Sequence, residues 1–286
     1  MEFLIGFEFE FGWEPGFDAK KPKGSKYIPK ITYFENFIYV DVKNSLKKFL
    51  GSQYKFIAEI TDDPSISFNK NFRNGHFGVE VVTKPLEEIL AIEIFSKILD
   101  WMRTTHNIIT NNTCALHVNI SVKDKKINNR IDYFSVITNT PQNRILRQYG
   151  RLGNVYCQAT SKRKFSLQIN KRRTVLKSFD RWIKRLDKDY IYVTTYQFSN
   201  FKLDGEKKIS KIYFDNKSES YEMIKEAFIN SLRNVDKNIA VVEKKSPTNQ
   251  KYFEFRMIGN TDYEYKEQHI YKCIAIFKNA IKKSII

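Results

Sequence analysis

Residues 1–12, MEFLIGFEFEFG, alternate with a period of two, the period of a β-strand. Phe3, Ile5, Phe7, Phe9 and Phe11 fall on one face; Leu4, Gly6, Glu8, Glu10 and Gly12 fall on the other. Carboxylates side by side on one face repel each other and resist burial. An isolated Glu-x-Glu is ordinarily a half-exposed strand with its acids in water. Three later stretches with strand character also set ionisable groups on one face, however. If those faces converge, a positive species must sit between them, and a divalent cation holding phosphate oxygens is the natural candidate.

Around this strand lies a chain of 286 residues, enough for one large domain or two small ones. An apolar fraction of 42%, with 23 Phe and 16 Tyr, supports a packed core and argues against long disordered spans. No run approaches the ~18 apolar residues of a membrane helix, so no membrane partner is expected. No basic segment precedes an apolar one at the N-terminus, so no secretory leader is expected either. Cys114, Cys157 and Cys273 form neither a zinc pattern nor a disulfide framework, which suits a reducing, cytoplasmic setting. Lysine and arginine exceed acids by 49 to 32, a formal charge of +17. Such a charge would assist contact with nucleic acid or another polyanion. It is spread along the chain rather than massed, and no nucleic-acid-binding motif accompanies it. The densest cluster is Lys162, Arg163, Lys164, Lys171, Arg172 and Arg173, read as a solvated surface in preference to a steering rim.

Periodicity places further elements. Residues 14–30, with Pro15, Gly16, Pro22, Gly24 and Pro29, read as a loop, and 41–50 as a short helix stopped by Gly51. Strands are expected over 54–61, 77–83, 114–121, 191–201, 208–214 and 251–258, with helices over 85–106, 171–188, 218–235 and from 262 onward. In the first of these helices Leu86, Ile89, Leu90, Ile94, Ile98 and Met102 keep helical spacing. Residues 123–130 read as a polar loop. No glycine-rich phosphate loop follows a strand, which argues against P-loop and dinucleotide-binding cores. The class expected is α+β with a mostly antiparallel sheet.

The polar strand faces carry Glu8 with Glu10, Glu80, His117 with Asn119, and Glu254 with Arg256, while Asp63 lies in a turn shortly before one of these strands. Carboxylates with one imidazole suit Mg2+ or Mn2+ better than zinc. Arg256, two residues from Glu254 and so on its face, offers a planar fork for phosphate.

The order of these clusters resembles the amidoligase family of the glutamine synthetase / glutamate–cysteine ligase (carboxylate–amine ligase) superfamily. Gly6-Phe7-Glu8-Phe9-Glu10 is similar to its Gly-x-Glu-x-Glu strand. Asp63-Pro64-Ser65 and Glu80-Val81-Val82-Thr83-Lys84-Pro85 are similar to its Asp-x-Ser and Glu-hydrophobic-hydrophobic-Ser/Thr-x-Pro segments. Ala115-Leu116-His117-Val118-Asn119 resembles its Gly-Leu-His-Val-His/Asn strand, departing at Ala115, and at Asn119 from members with a second His. Glu254-Phe255-Arg256, followed by Gly259-Asn260-Thr261, resembles its late Glu-x-Arg strand and turn. Arg151 through Tyr156-Cys157 resembles its Arg…Tyr-Cys segment.

The resemblance implies a single catalytic domain over 1–286 with a family-specific middle at about 124–250. It implies a curved, mostly antiparallel sheet, a glutamine-synthetase-like half-barrel with helices on its outer face. ATP and Mg2+ (or Mn2+) would lie on the concave side, with Glu8, Glu10, Asp63, Glu80, His117 and Glu254 as metal ligands. Arg256, Arg151 and Asn119 would contact the nucleotide, and Arg256 and Glu254 would act in catalysis. The activity implied is ATP-dependent amide formation between a small-molecule or peptide carboxylate and an amine, through an acyl phosphate. The alternatives are a metal-dependent nuclease or hydrolase, or a basic nucleic-acid-binding protein on an inactive ligase scaffold.

Overall fold

The structure, a computed structural model, describes residues 1–14, 31–66, 77–154, 157–159, 165–169, 172–176, 190–195, 198–199, 202–203, 208–213, 225–226, 229 and 239–286, with backbone alone in 31–38 and in the strands between 165 and 213. Its centre is β1 (Phe3–Trp13), paired along both edges. One edge takes β6 (Ala115–Val122) and then the two-residue β5 (Ile108–Ile109); the other takes β3 (Phe77–Thr83) and the two-residue β4 (Leu86–Glu87). With β2 (Ile57–Asp62), β13 (Val241–Lys245) and β14 (Lys251–Gly259) they form an eight-stranded antiparallel sheet in the order β13-β14-β6-β1-β3-β2, with β4 and β5 flanking β1. The sheet is open, not closed into a barrel.

Pro85 separates β3 from β4 and has no N–H to give a ladder. At that break the amide of Phe7 donates to the hydroxyl of Thr83 at 2.8 Å, and Thr83 is buried. A side chain thus replaces the missing main-chain acceptor where β1 passes from one partner to the next.

The underside of β1 is the core. Phe3, Ile5, Phe7, Phe9 and Phe11 are at most 2% exposed. Against them packs α2 (Glu88–Thr104), with Phe95 4.6 Å from Phe7 and Trp101 5.6 Å from Phe11, ring centre to centre. α1 (Ile31–Leu50) is held to this layer by Asp41 and Ser45, which accept from the indole N–H groups of Trp13 and Trp101, both at 3.1 Å. Farther along the chain come α3 (Lys125–Asn129), α4 (Tyr133–Asn139) and α5 (Gln142–Gln148). The last helix, α6 (Glu267–Lys282), stacks Phe277 on Phe255 of β14 at 4.2 Å. A second antiparallel sheet runs β12 (Lys208–Tyr213)-β9 (Tyr190–Thr195)-β8 (Arg172–Leu176)-β7 (Phe165–Ile169), and β10 (Phe198–Ser199) pairs with β11 (Lys202–Leu203). Among the described residues no helix is long and apolar enough to cross a membrane.

Several elements depart from the sequence reading. The first helix begins at Ile31, not Asp41, and 51–56 form a 3-10 turn before β2. The helix expected from Pro85 begins at Glu88, because Leu86 and Glu87 pair with β1 first. That shift leaves Ile89, counted among the apolar face, 88% exposed. The polar stretch at 123–130 contains α3, capped by Asp124, whose carboxylate accepts from the amides of Lys126 and Ile127. The helix expected over 171–188 is overturned at its start: Arg172–Leu176 is strand β8, paired with β7. Thr174 and Val175 are β-branched and suit that pairing better than a helix. The remainder of that stretch, the loop at 15–30 and most of the helix expected at 218–235 lie outside the described residues. So do Lys162, Arg163, Lys164 and Lys171, and the side chains of Arg172 and Arg173.

Truncating Phe95 to Ala should cost about 3–5 kcal/mol in denaturant unfolding. Ile89→Ser, on the same helix, should stay within about 0.5 kcal/mol. Equal effects would mean that the helix buries a different face.

A carboxylate-lined sheet face as candidate active site

Residues directly opposite each other on paired strands share a sheet face. Glu8 lies opposite His117, Glu10 opposite Glu80, Asn119 opposite Glu254, and Glu80 opposite Thr61. Five ionisable groups from β1, β3, β6 and β14 therefore converge on the face away from the aromatic core. Of the six side chains expected from the sequence to hold a metal, these five lie on strands of this face, and the sixth, Asp63, lies just after β2.

His117 is the hub. Its Nδ1 lies 2.8 Å from Glu8 Oε2 and 4.0 Å from Glu254 Oε1, and its Nε2 lies 3.2 Å from Glu10 Oε1. The other oxygen of Glu8 accepts from Asn119 Nδ2 at 2.7 Å, and the other oxygen of Glu10 accepts from the amide of Ala115 at 2.7 Å. Glu80 is reached by the Thr61 hydroxyl at 3.4 Å. Glu254, fully buried, faces two permanent cations: the Lys244 ammonium contacts Oε2, and Arg256 Nε lies 3.4 Å from Oε1.

A bulge sets Arg256. The β6–β14 register slips between Phe255, opposite Val118, and Ile258, opposite Leu116, so Arg256 and Met257 together oppose His117. Bulges bend a strand and re-aim side chains. This one is tied on both sides: the Arg256 amide donates to Ala240 O at 2.9 Å, and its carbonyl accepts from the buried Cys157 thiol at 3.0 Å. Just beyond, Gly259 has φ +144°, and a Cβ there would come within 2.0 Å of Arg151 Nη1.

Burial and neighbours push these acids apart. Burial acts to raise Glu8, yet the His117 hydrogen bond and charge, Lys244 and Asn119 together win and hold it at about 2. Glu10 is raised by burial. Glu80 is raised to about 8, first by burial and then by the charge of Glu8, with Glu10 and Asp63 adding to it. Burial would lower His117, but the carboxylates of Glu10 and Glu8 raise it.

Two sets of donor atoms lie within 4.8 Å of one another: Glu10, Glu80 and His117, and Glu8, His117 and Glu254. Two ionised carboxylates at that separation repel by about 3 kcal/mol at an effective dielectric near 20. Oxygen donors gathered with one imidazole fit a hard divalent cation.

Of the other residues singled out from the sequence, Asp63 is close enough for its charge to raise Glu10 and Glu80. One of its oxygens also closes a turn by accepting from Ser65 N at 2.8 Å. Arg151 is 3% exposed, and its Nη1 donates to Cys114 O and Ile258 O at 3.0 and 2.8 Å, which places that nitrogen on the main chain of β14 and the residue before β6. Sequence reasoning missed Lys244, Thr61 and the bulge-holding role of Cys157. The signal for Lys244 was a hairpin: Val241–Lys245, then Ser246-Pro247-Thr248-Asn249, then a strand.

A family model described as "Putative amidoligase enzyme" matches residues 35–271. That span holds Glu80, His117, Lys244, Glu254 and Arg256, and it begins after the strand carrying Glu8 and Glu10. No curated protein matches the chain.

Without metal, Glu80 binds a proton in the folded state that the unfolded chain releases near pH 4.5. Stability from this group is therefore present below that value and lost as pH rises through about 8. In EDTA, wild type should lose melting temperature relative to Glu80→Gln between pH 5 and 8, read by thermal denaturation. Parallel curves would show that Glu80 is not strained by its neighbours.

Proposed function

The chain belongs to the amidoligase family, and we propose that it is an ATP-dependent ligase joining a carboxylate to an amine through an acyl phosphate. The observation that carries this reading is the convergence of Glu8, Glu10, Glu80, His117 and Glu254, with Arg256, on one face of the sheet. A glutamine-synthetase-like half-barrel, with this face concave, is part of the same proposal.

In this reading a substrate carboxylate oxygen attacks the γ-phosphorus of ATP. The bond from that phosphorus to the bridging oxygen breaks, and ADP leaves. The amine nitrogen then attacks the acyl carbon, the carbon–oxygen bond to phosphate breaks, and the proton lost by nitrogen leaves on the phosphate, yielding the amide. The first step brings two anions together, so its barrier is largely electrostatic. Arg256 is suited to hold phosphoryl oxygens with its planar fork. Glu254 fixes that guanidinium from a position closed to solvent, and Cys157 and Ala240 fix the backbone beneath it. Asn119 and His117 orient Glu8. Mg2+ or Mn2+, held by Glu10, Glu80 and His117 or by Glu8, His117 and Glu254, would when bound neutralise charge between nucleotide and carboxylate.

Incubating the protein with ATP, Mg2+ and pools of amino acids and peptides should release ADP and phosphate in step with a new amide, detected by mass spectrometry. Nicked nucleic acid without ADP would point instead to a hydrolase. Neither product would leave a binding protein on a ligase scaffold. Once a substrate pair is found, Arg256→Lys should lower turnover about 100-fold or more with little change in melting temperature. Turnover within about threefold of wild type would make Arg256 structural.

A further inference from the structure

We propose that the face holds one tightly bound divalent ion, among Glu10, Glu80 and His117 Nε2, and that Lys244 is a tethered cation standing where a second ion would sit, beside Glu254. The inference rests on the cation-holding reading above and does not depend on which carboxylate and amine are joined.

The first ground is the imidazole. Both donor sets share His117, and a neutral ring has one nitrogen with a free lone pair and one that carries a proton. Nδ1 is the nitrogen nearer to a carboxylate, 2.8 Å from Glu8 Oε2 against 3.2 Å for Nε2 from Glu10 Oε1, so a neutral, metal-bound ring is assigned its proton on Nδ1. Nε2 is left as the electron-pair donor, on the Glu10 side, 3.2 Å from Oε1. A carboxylate that accepts from the far N–H of a ligating histidine fixes its tautomer and raises its basicity. Glu8 is then a positioning residue, held in turn by Asn119 at 2.7 Å.

The second ground is charge. Glu254 already meets Lys244 on one oxygen and Arg256 on the other. With Glu8, that corner has two carboxylates and two permanent cations. The opposite corner has Glu10 and Glu80 directly across from each other, with Asp63 nearby. Among the described residues no lysine or arginine forms an ion pair with either. Glu80 receives only a long hydroxyl contact, at 3.4 Å. A dication placed there cancels an excess of negative charge; placed beside Glu254 it would meet an ammonium and a guanidinium.

The third ground is position. Lys244 comes from β13 and lies opposite Tyr252, on the same face as Glu254. Its stem is anchored in the sheet, so its ammonium competes with free ions at the high effective concentration of an intramolecular group. An ion entering that corner must first displace it.

Mn2+ alone is the probe, titrated into the purified full chain by calorimetry, with free Mn2+ counted by electron paramagnetic resonance. Wild type should take up one tight Mn2+. Lys244→Met should add a second, weaker ion between Glu8 and Glu254, Lys244→Arg should keep one, and Glu80→Gln should take up none. Glu8→Gln should keep one ion at about 10- to 100-fold lower affinity. Two tight ions in wild type would overturn the inference while leaving the cation-holding reading intact. So would a single ion that survives Glu80→Gln and is lost in Glu254→Gln. No Mn2+ uptake by a wild-type chain that still melts cooperatively would overturn that reading as well. If Lys244→Met does not fold, the wild-type count and the Glu80→Gln and Glu254→Gln pair still decide.

Discussion

Glu10 and Glu80 face each other across the seam between β1 and β3, and much of the structure follows from keeping two carboxylates there. They cannot move apart, because β1 is paired along both edges and its other face is locked into an aromatic core. Phe7, Phe9 and Phe11 cannot turn over without exposing large apolar surface, since a one-residue slip would exchange the two faces entirely. Burial of the phenylalanines therefore holds the acids in place. The fold stabilises, on one side of a single strand, a charge arrangement that it would not otherwise tolerate on the other.

Compensation across the face is uneven. One end has Lys244 and Arg256 around Glu254; the other has hydroxyl and amide donors and no permanent cation in contact. That unevenness polarises the face, with its most negative region over the strands nearest β2 and its most balanced region toward β13. A phosphate-bearing substrate would enter against the balanced end, where guanidinium and ammonium lie, and a metal would draw it toward the acidic end. Phosphoryl transfer from a nucleotide to a carboxylate, as proposed above, would benefit from such a gradient, because each anion would meet a different local potential.

Much of this was legible in residue order. The alternation at 3–11 marked both the core face and the acid face, and 77–83 came out as a strand with the same bounds. The polar partners at Glu80, His117 and Glu254 could be placed on one side by parity alone. What parity could not supply was register. Lys244 sits in VVEKK, which shows no clean alternation, and reaches the site only through hairpin pairing with Tyr252. The bulge at Arg256 and Met257 leaves no mark in composition, yet it decides what opposes His117. Basic residues at 171–188 misled for a different reason: their spacing suits a helix, while pairing between 165–169 and 172–176 is a contact that no single-segment pattern contains. Ile89 failed because the chain pairs for two more residues after Pro85 before it coils.

The hydroxyl of Thr83 gives the middle of the sheet an unusual dependence. Over most of β1 the seams are closed by main chain, and any sequence with the right shape would close them. At Phe7 the acceptor belongs to a side chain, one residue beyond the acid face and one residue from Glu8. Continuity of the central seam is there a property of residue identity, not of topology. A short, hydroxyl-bearing side chain can both bridge the break left by Pro85 and stay buried. The Ser/Thr-x-Pro signature thus reads as a splice: it carries the pairing of β1 across the Pro85 break, from β3 to β4, without opening a gap in the floor beneath the carboxylates.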